Sequence, residues 1–124
     1  MKQISLFIVL IGIVSTASSE TVYELAQAHC KKAETIAGFA QGYRQLGKKA
    51  SEATEKLMAI SSKLIDPEIR EEQEKQIFFI VQDAYTVPIY QTQLQKKQAV
   101  SEFEARHYLA CSQSFQNTID KKNK

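Results

Sequence analysis

The chain has 124 residues, a formal net charge of +2 and 24% charged residues. Its length fits one domain of ordinary size, and a chain this short buries a modest core that extra cross-links help to stabilise. Because basic and acidic residues nearly balance, we predict no strong attraction to nucleic acid or to an anionic membrane surface.

The first nineteen residues have the layout of a secretory signal peptide. A lysine at the second position precedes an apolar run over 4–14, and small residues follow that run. The run is too short to cross a bilayer, which needs about 20 residues. We therefore predict cleavage after Ala17 or Ser19, export to the periplasm or the medium, and no stable membrane anchor once residues 1–19 are removed. Residues 20–124 are then a single helical domain.

Apolar and small side chains recur at steps of three and four over 21–46, which is the spacing of one face of a helix. Gly47, with two lysines after it, is typical of a helix C-terminus, and Ser51 is predicted to cap a second helix. The alternative is one long helix that bends at Gly47. Gly38 and Gly42 share one surface of the first helix, where they predict the close approach of a neighbouring helix.

Two prolines divide the second half of the chain. Asp66 and Pro67 are the residue types of an N-cap and a first helical position, so a third helix is predicted to begin there. Pro88 either kinks that helix or ends it, and we favour a break, with the last helix over about 89–117. The inner face of the last helix is predicted to contain Leu94, Val100, Phe103, His107, Ala110 or Cys111, and Phe115.

Two cysteines in an exported chain predict a disulfide, here between Cys30 and Cys111. Cys30 lies in the first predicted helix and Cys111 near the end of the last, and a bridge needs their Cα atoms within about 7 Å. In an up-and-down arrangement these positions meet only if the number of long helices is even. A two-helix hairpin satisfies that condition, but the breaks at Gly47 and Pro88 favour an all-α, up-and-down four-helix bundle.

Each cysteine has a histidine nearby: His29 precedes Cys30, and His107 lies one helical turn before Cys111. If all four cluster, they form a Cys2His2 set of the kind that binds zinc. Neighbouring residues of a helix point in different directions, so His29 and Cys30 do not easily face one ion, and a disulfide is the favoured interpretation. A haem held by His107, with Met58 or His29 opposite, is the second alternative. We predict no cofactor.

The sequence contains no Gly-rich phosphate loop, Gly-x-Ser-x-Gly or His-Glu-x-x-His motif, so no enzymatic activity is predicted. Binding to another protein is the class that remains. A short connection between two predicted helices is unusually apolar and aromatic, and exposed tyrosine is a frequent interface anchor. This candidate interface consists of Tyr85, Val87, Pro88, Ile89 and Tyr90. The alternative is that these side chains plug the end of the bundle.

Taken together, these patterns predict a small exported protein that is not an enzyme and that binds a protein partner of unknown identity. It is either inhibitor- or immunity-like, with one partner, or chaperone-like, with unfolded clients. A haem- or metal-binding four-helix bundle is the alternative from a different class.

Overall fold

The described part of the chain forms four α-helices. The computed structural model describes the backbone of residues 2–64 and 67–122, and side chains within 22–63 and 67–122. The helices are α1 (Lys2–Gln45), α2 (Ala50–Leu64), α3 (Pro67–Ala84) and α4 (Gln93–Lys122). The predictions of an all-α fold and of four helices are therefore confirmed.

Two predictions concern residues that this description does not cover. The side chains of the predicted signal peptide, residues 1–19, lie outside the described residues, and so does the predicted N-cap Asp66. Signal cleavage and export stay predictions. None of the helices, over the residues described, is both long enough and apolar enough to span a bilayer.

Gly47 ends the first helix. It has a φ of 76°, a left-handed conformation that glycine adopts without steric cost. The Gly47 N–H donates to the Arg44 carbonyl, and the Lys48 N–H donates to the Tyr43 carbonyl, each at 3.0 Å. These two bonds are a Schellman motif, which satisfies carbonyl groups at a helix end. The predicted break at Gly47 is therefore confirmed, and the chain does not continue as one bent helix.

α2 begins at Ala50, one residue before Ser51, its predicted N-cap. The Ala53 N–H donates to the Lys49 carbonyl at 3.2 Å, so Lys49 takes the N-cap position and the helix starts at Ala50. The prediction that Ser51 caps this helix is wrong, because the first helical turn, from Lys49 to Ala53, already includes Ser51. Its side chain lies exposed in the first turn. α3 begins at Pro67, as predicted.

A connection over 85–92 separates α3 from α4, which confirms the break at Pro88. The predicted start of the last helix near residue 89 is wrong, because Thr92 and Gln95 set a later start. The Gln95 N–H donates to Thr92 Oγ1 at 3.2 Å, and the Thr92 N–H donates to Gln95 Oε1 at 3.4 Å. This reciprocal pair is a capping box, which fixes the N-cap of α4 at Thr92.

α1 packs against each of the other three helices, and α2 packs against α3. α1 and α3 run in the same direction. Gln41 donates to the Ala84 carbonyl and Gln45 donates to the Pro88 carbonyl, with an offset of 43 residues in both cases. Pro88 follows α3, but Ala33 of α1 and Gln76 of α3 line one groove with the same offset of 43, so the Gln41–Ala84 and Ala33–Gln76 pairs give the register of α3 along α1.

α4 runs antiparallel to α1, and a disulfide joins the two helices. Lys96 Nζ donates to the Gln45 carbonyl at one end, and Cys30 is bonded to Cys111 toward the other. The Cα atoms of the two cysteines are 5.4 Å apart, across 81 residues of sequence. The prediction of a Cys30–Cys111 disulfide is confirmed.

Alanines are almost as numerous as large apolar residues in the buried core cluster. The buried core consists of Ala37, Ala40, Ala53, Leu57, Ile77, Ile80, Val81, Ala84 and Phe103. The inner-face prediction for α4 is right at Phe103 and His107, which are buried, but wrong at Leu94, which is 68% exposed. The buried stripe of α4 advances in four-residue steps through Ala99, Phe103 and His107, and Leu94 is out of phase with it. Several large apolar side chains thus remain on the surface.

Candidate binding site

The connection 85–92, which contains the candidate interface, is held against the C-terminal end of α1. The Tyr85 hydroxyl donates to the Lys48 carbonyl at 2.7 Å, and Val87 packs against the core. Arg44 Nε donates to the Val87 carbonyl at 2.9 Å, and the guanidinium lies 5.3 Å from the centre of the Tyr85 ring. Burial raises the pKa of Tyr85 above its ordinary value, although Arg44 acts in the opposite direction. Both side chains are half-buried.

A buried glutamine holds the rest of this connection. Gln45 is 5% exposed, and its Nε2 donates to the Pro88 carbonyl and to Gln41 Oε1, each at 2.9 Å. Its Oε1 accepts the Tyr90 N–H at 3.0 Å. The side chains of Pro88, Ile89 and Tyr90 are exposed. An interface at this connection stays a prediction, and its backbone position is fixed by polar side chains of α1.

The two histidines and the disulfide lie along one groove between α1, α3 and α4. This histidine groove has a volume of about 400 Å³, and its lining includes His29, His107 and Cys111. His29 is exposed and meets the Phe115 ring edge-on, with ring centres 5.4 Å apart. Cys30 and Cys111 form the disulfide, so neither sulfur is the thiolate that a zinc site uses. Among the residues described, no three His, Cys, Asp or Glu side chains are grouped so that they could hold a metal ion.

His107 of α4 contacts Asp83 of α3 and so links the two helices. Its Nε2 lies 2.8 Å from Asp83 Oδ2, and its ring centre lies 4.5 Å from that of Phe103. Arg106 Nη2 donates to the same Asp83 oxygen at 3.0 Å. One carboxylate of α3 therefore connects to two side chains of α4. The ring nitrogen that faces Asp83 is occupied by this contact.

A second groove, the Gly42 groove, runs between α1 and α4 and has a volume of about 540 Å³. A Cβ at Gly38 would lie 2.8 Å from Glu104 Oε2, whereas a Cβ at Gly42 would meet nothing within 4 Å. The predicted close approach of a neighbouring helix is therefore right at Gly38, where Glu104 of α4 fills the space, and wrong at Gly42, which opens onto the surface. Phe39 and Leu46, which are 46% and 74% exposed, lie before and after Gly42 along the groove. Tyr43 and Val100 complete its apolar lining.

A third groove, the Lys32 groove, lies between α1, α2 and α3 and has a volume of about 430 Å³. Its apolar walls are Ile36, Phe39, Leu57, Ile60 and Ile77, and its polar lining includes Lys31, Lys32, Ser61 and Gln73. Ser61 is 4% exposed, and its Oγ has no hydrogen-bond partner in the part of the chain that is described. Lys31 Nζ donates to Glu34 at 2.7 Å, and this contact raises the pKa of Lys31.

Phe39, Leu46 and Ser61 line these grooves and are not among the site residues predicted from the sequence. Phe39 is a large apolar residue outside the apolar stripe of the first helix, and that position is a signal for an exposed aromatic side chain. Leu46 has the spacing of the stripe, but it follows the last residue of α1, where the chain turns at Gly47. Ser61 follows Ala53 and Leu57 at steps of four residues, so helical spacing places it on the buried face of α2, but its residue type gives no signal for a core position.

No protein-family model matches this chain, and neither does a curated protein or a solved structure.

Proposed function

We propose that this chain is an exported, non-enzymatic protein-binding module that holds an apolar helix of one partner protein in the Gly42 groove. The observation that carries this proposal is the open space above Gly42, between the exposed side chains of Phe39 and Leu46. An amphipathic helix docks into a groove of this kind through side chains spaced three and four residues apart.

The glycine at position 42, inside α1, supports a binding role for the open space above it. A helical glycine costs about 1 kcal/mol of stability relative to alanine. At Gly38 this cost is offset within the chain, because Glu104 of α4 occupies the space that a Cβ would take. At Gly42 no described residue uses that space. A partner helix that packs closely against the α1 backbone at Gly42 would offset the stability cost of this second glycine.

The walls of the groove suit one matched partner. Phe39 and Leu46 offer exposed apolar area on either side of Gly42, which the apolar face of a partner helix would cover. The Cys30–Cys111 disulfide joins α1 to α4, so the two sides of the groove are tied together. A fixed groove favours a single partner, as an inhibitor or immunity protein has, over the many clients that an adaptable surface accepts.

The variant Gly42→Leu tests this proposal because it fills the groove. Leucine is a strong helix former, and the added side chain meets no neighbour at its Cβ, so the fold should be retained. Ala105→Leu is the matched control, since Ala105 is exposed on α4 and does not line the groove. We expect wild type and Ala105→Leu to capture the same partner from an extract of the export compartment, and Gly42→Leu to lose it.

The composition of the captured material separates the two versions of the function. One protein at a constant ratio, lost with Gly42→Leu, supports an inhibitor- or immunity-like role. A mixture of unrelated unfolded proteins, lost with the same variant, would replace that role by a chaperone-like one. Equal capture by all three proteins would rule out the Gly42 groove as the binding surface.

A further inference from the structure

The Lys32 groove is polar at the end nearer the disulfide. Gln73 of α3 lines this groove together with Lys32 of α1, and the offset of 43 residues between Ala33 and Gln76 places Gln73 level with residue 30. Ser61 of α2 lines the same groove beside them. Three polar lining residues, one from each helix, therefore share one end of the groove.

The other end of the groove is apolar. From Lys32 to Phe39, α1 rises by about 10 Å. Over this distance the groove is walled by Ile36 and Phe39 of α1, Leu57 of α2 and Ile77 of α3. Its volume of about 430 Å³ falls within the range of small-molecule sites. An elongated apolar body fits such a wall better than a compact polar one.

Ser61 gives the polar end a hydrogen-bond donor without a partner. Its Oγ is buried and unpaired among the described residues, and a buried hydroxyl in that state destabilises a fold. The adjacent Ser62 differs, because its hydroxyl is exposed and donates to the Ala59 carbonyl at 2.9 Å. Gln73, which is 8% exposed, lines the groove beside Ser61. Ser61 Oγ has almost no accessible surface in this rotamer, so rotation about the Cα–Cβ bond is needed to turn the hydroxyl into the groove, where a ligand oxygen at this end would accept from it.

Lys32 adds positive charge at the same end. Lys31 lines the groove as well, but its ammonium group is already paired with Glu34. Of the two lysines, Lys32 is therefore the one that pairs with a ligand. A donor and a cation together select an anionic oxygen. We infer that the Lys32 groove binds a single-chain anionic amphiphile, with its anionic oxygens at Ser61 and Lys32 and its acyl chain along the apolar walls. This inference does not depend on the proposed partner function, although Phe39 lines both grooves.

Calorimetric titration of the exported, disulfide-bonded protein with sodium laurate tests the inference, with all lipids kept below micelle-forming concentrations. We expect laurate to bind in equimolar amount, and dodecanol, which has the same chain without the charge, to bind at least about tenfold more weakly. Ser61→Ala should weaken laurate binding by about tenfold, because one hydrogen bond to a charged group is lost. Ser62→Ala is the matched control and should bind as wild type does.

A second pair of variants tests the charge. Lys32→Gln should weaken laurate binding without changing dodecanol binding, whereas Lys63→Gln, at an exposed lysine of α2 outside the groove, should change neither. Titration with lysophosphatidylglycerol identifies the source of the chain. Tighter binding of laurate indicates a free fatty acid, and tighter binding of the lysolipid indicates a membrane-derived lipid, provided that Ser61→Ala weakens both.

The stability of Ser61→Ala without ligand provides an independent check. Because the hydroxyl is unpaired, its removal should leave the unfolding free energy unchanged or raise it. A clear loss of stability would mean that the hydroxyl already has a partner within the protein, which overturns the inference. Absence of laurate and lysolipid binding, equal laurate affinity of Ser61→Ala and Ser62→Ala, or equal affinity for laurate and dodecanol would overturn it as well.

Discussion

Alanine substitutions at Gly42 and Gly38 should differ in their effect on stability, although both glycines lie inside α1. Replacing a helical glycine by alanine raises the unfolding free energy by about 1 kcal/mol when the new methyl group meets no obstacle. At Gly42 a Cβ meets nothing within 4 Å. Gly42→Ala should therefore show the full gain, which corresponds to an increase of about 4–8 °C in melting temperature for a domain of this size.

At Gly38 the same gain is opposed by Glu104. A Cβ there would lie 2.8 Å from Glu104 Oε2, 2.9 Å from Cδ and 3.1 Å from Cγ. The Glu104 side chain must move away from α1, and crowding of this kind offsets the helix gain. We expect Gly38→Ala to change the unfolding free energy by less than about 0.5 kcal/mol. When Glu104→Ala removes the obstacle, adding Gly38→Ala should again gain about 1 kcal/mol.

Urea unfolding followed by far-UV circular dichroism measures all four variants against wild type. The Gly38 and Glu104 variants form a double-mutant cycle, which isolates the contact between them from the intrinsic preference of the helix. Equal stabilisation by Gly42→Ala and Gly38→Ala would refute the assignment of Glu104 to the space above Gly38. A loss of stability in Gly42→Ala would refute the open space above Gly42.

Three further predictions concern the disulfide, the connection between α3 and α4, and alkaline pH. The Cys30–Cys111 disulfide closes a sequence separation of 81 residues. In the chain-entropy account its reduction should lower the unfolding free energy by about 4 kcal/mol. A melting temperature unaffected by reductant would contradict this. Gln45→Met removes hydrogen bonds to the connection between α3 and α4 and should lower the unfolding free energy by about 1–3 kcal/mol. Amide hydrogen exchange in that connection should become faster, and slow exchange there would contradict the assigned role of Gln45. Because burial raises the pKa of Tyr85, the stability that its protonated form contributes is fully present below pH ~10 and is lost as the pH rises further. Urea unfolding on either side of that pH should show a smaller decline for Tyr85→Phe than for wild type.

Local signals predict where the helices break. Gly47 stops α1 because its own backbone adopts a φ of 76°, and Pro88 interrupts the helical pattern because it lacks an N–H. The disulfide is predictable for a different reason. The predicted export favours pairing of the two cysteines, and an even number of helices brings Cys30 and Cys111 to the same level. These inferences need only residue type, spacing and compartment.

The grooves are harder to predict, because helical periodicity tells which residues share a face but not which faces meet. Ile36 and Phe39 are both apolar and one turn apart on α1, yet Phe39 lies at an uncovered position between α2 and α4. Ser61 is in phase with the buried Ala53 and Leu57 of α2, yet its spacing does not tell that it lines a groove between three helices. The capping box of Thr92 and Gln95 is readable from its spacing, but the preceding proline is the stronger local signal and draws the predicted helix start to residue 89.

Phe39 lines both the Gly42 groove and the Lys32 groove, so it connects the two proposed sites. Because its side chain is half exposed, Phe39→Ala should weaken partner capture and laurate binding together. Gly42→Leu should change only partner capture, and Ser61→Ala only laurate binding. If Phe39 also transmits an effect between the grooves, laurate must change the partner's affinity by the same factor as the partner changes that of laurate, because binding free energies are reciprocal. A partner affinity that is independent of laurate would mean that Phe39 serves each groove separately.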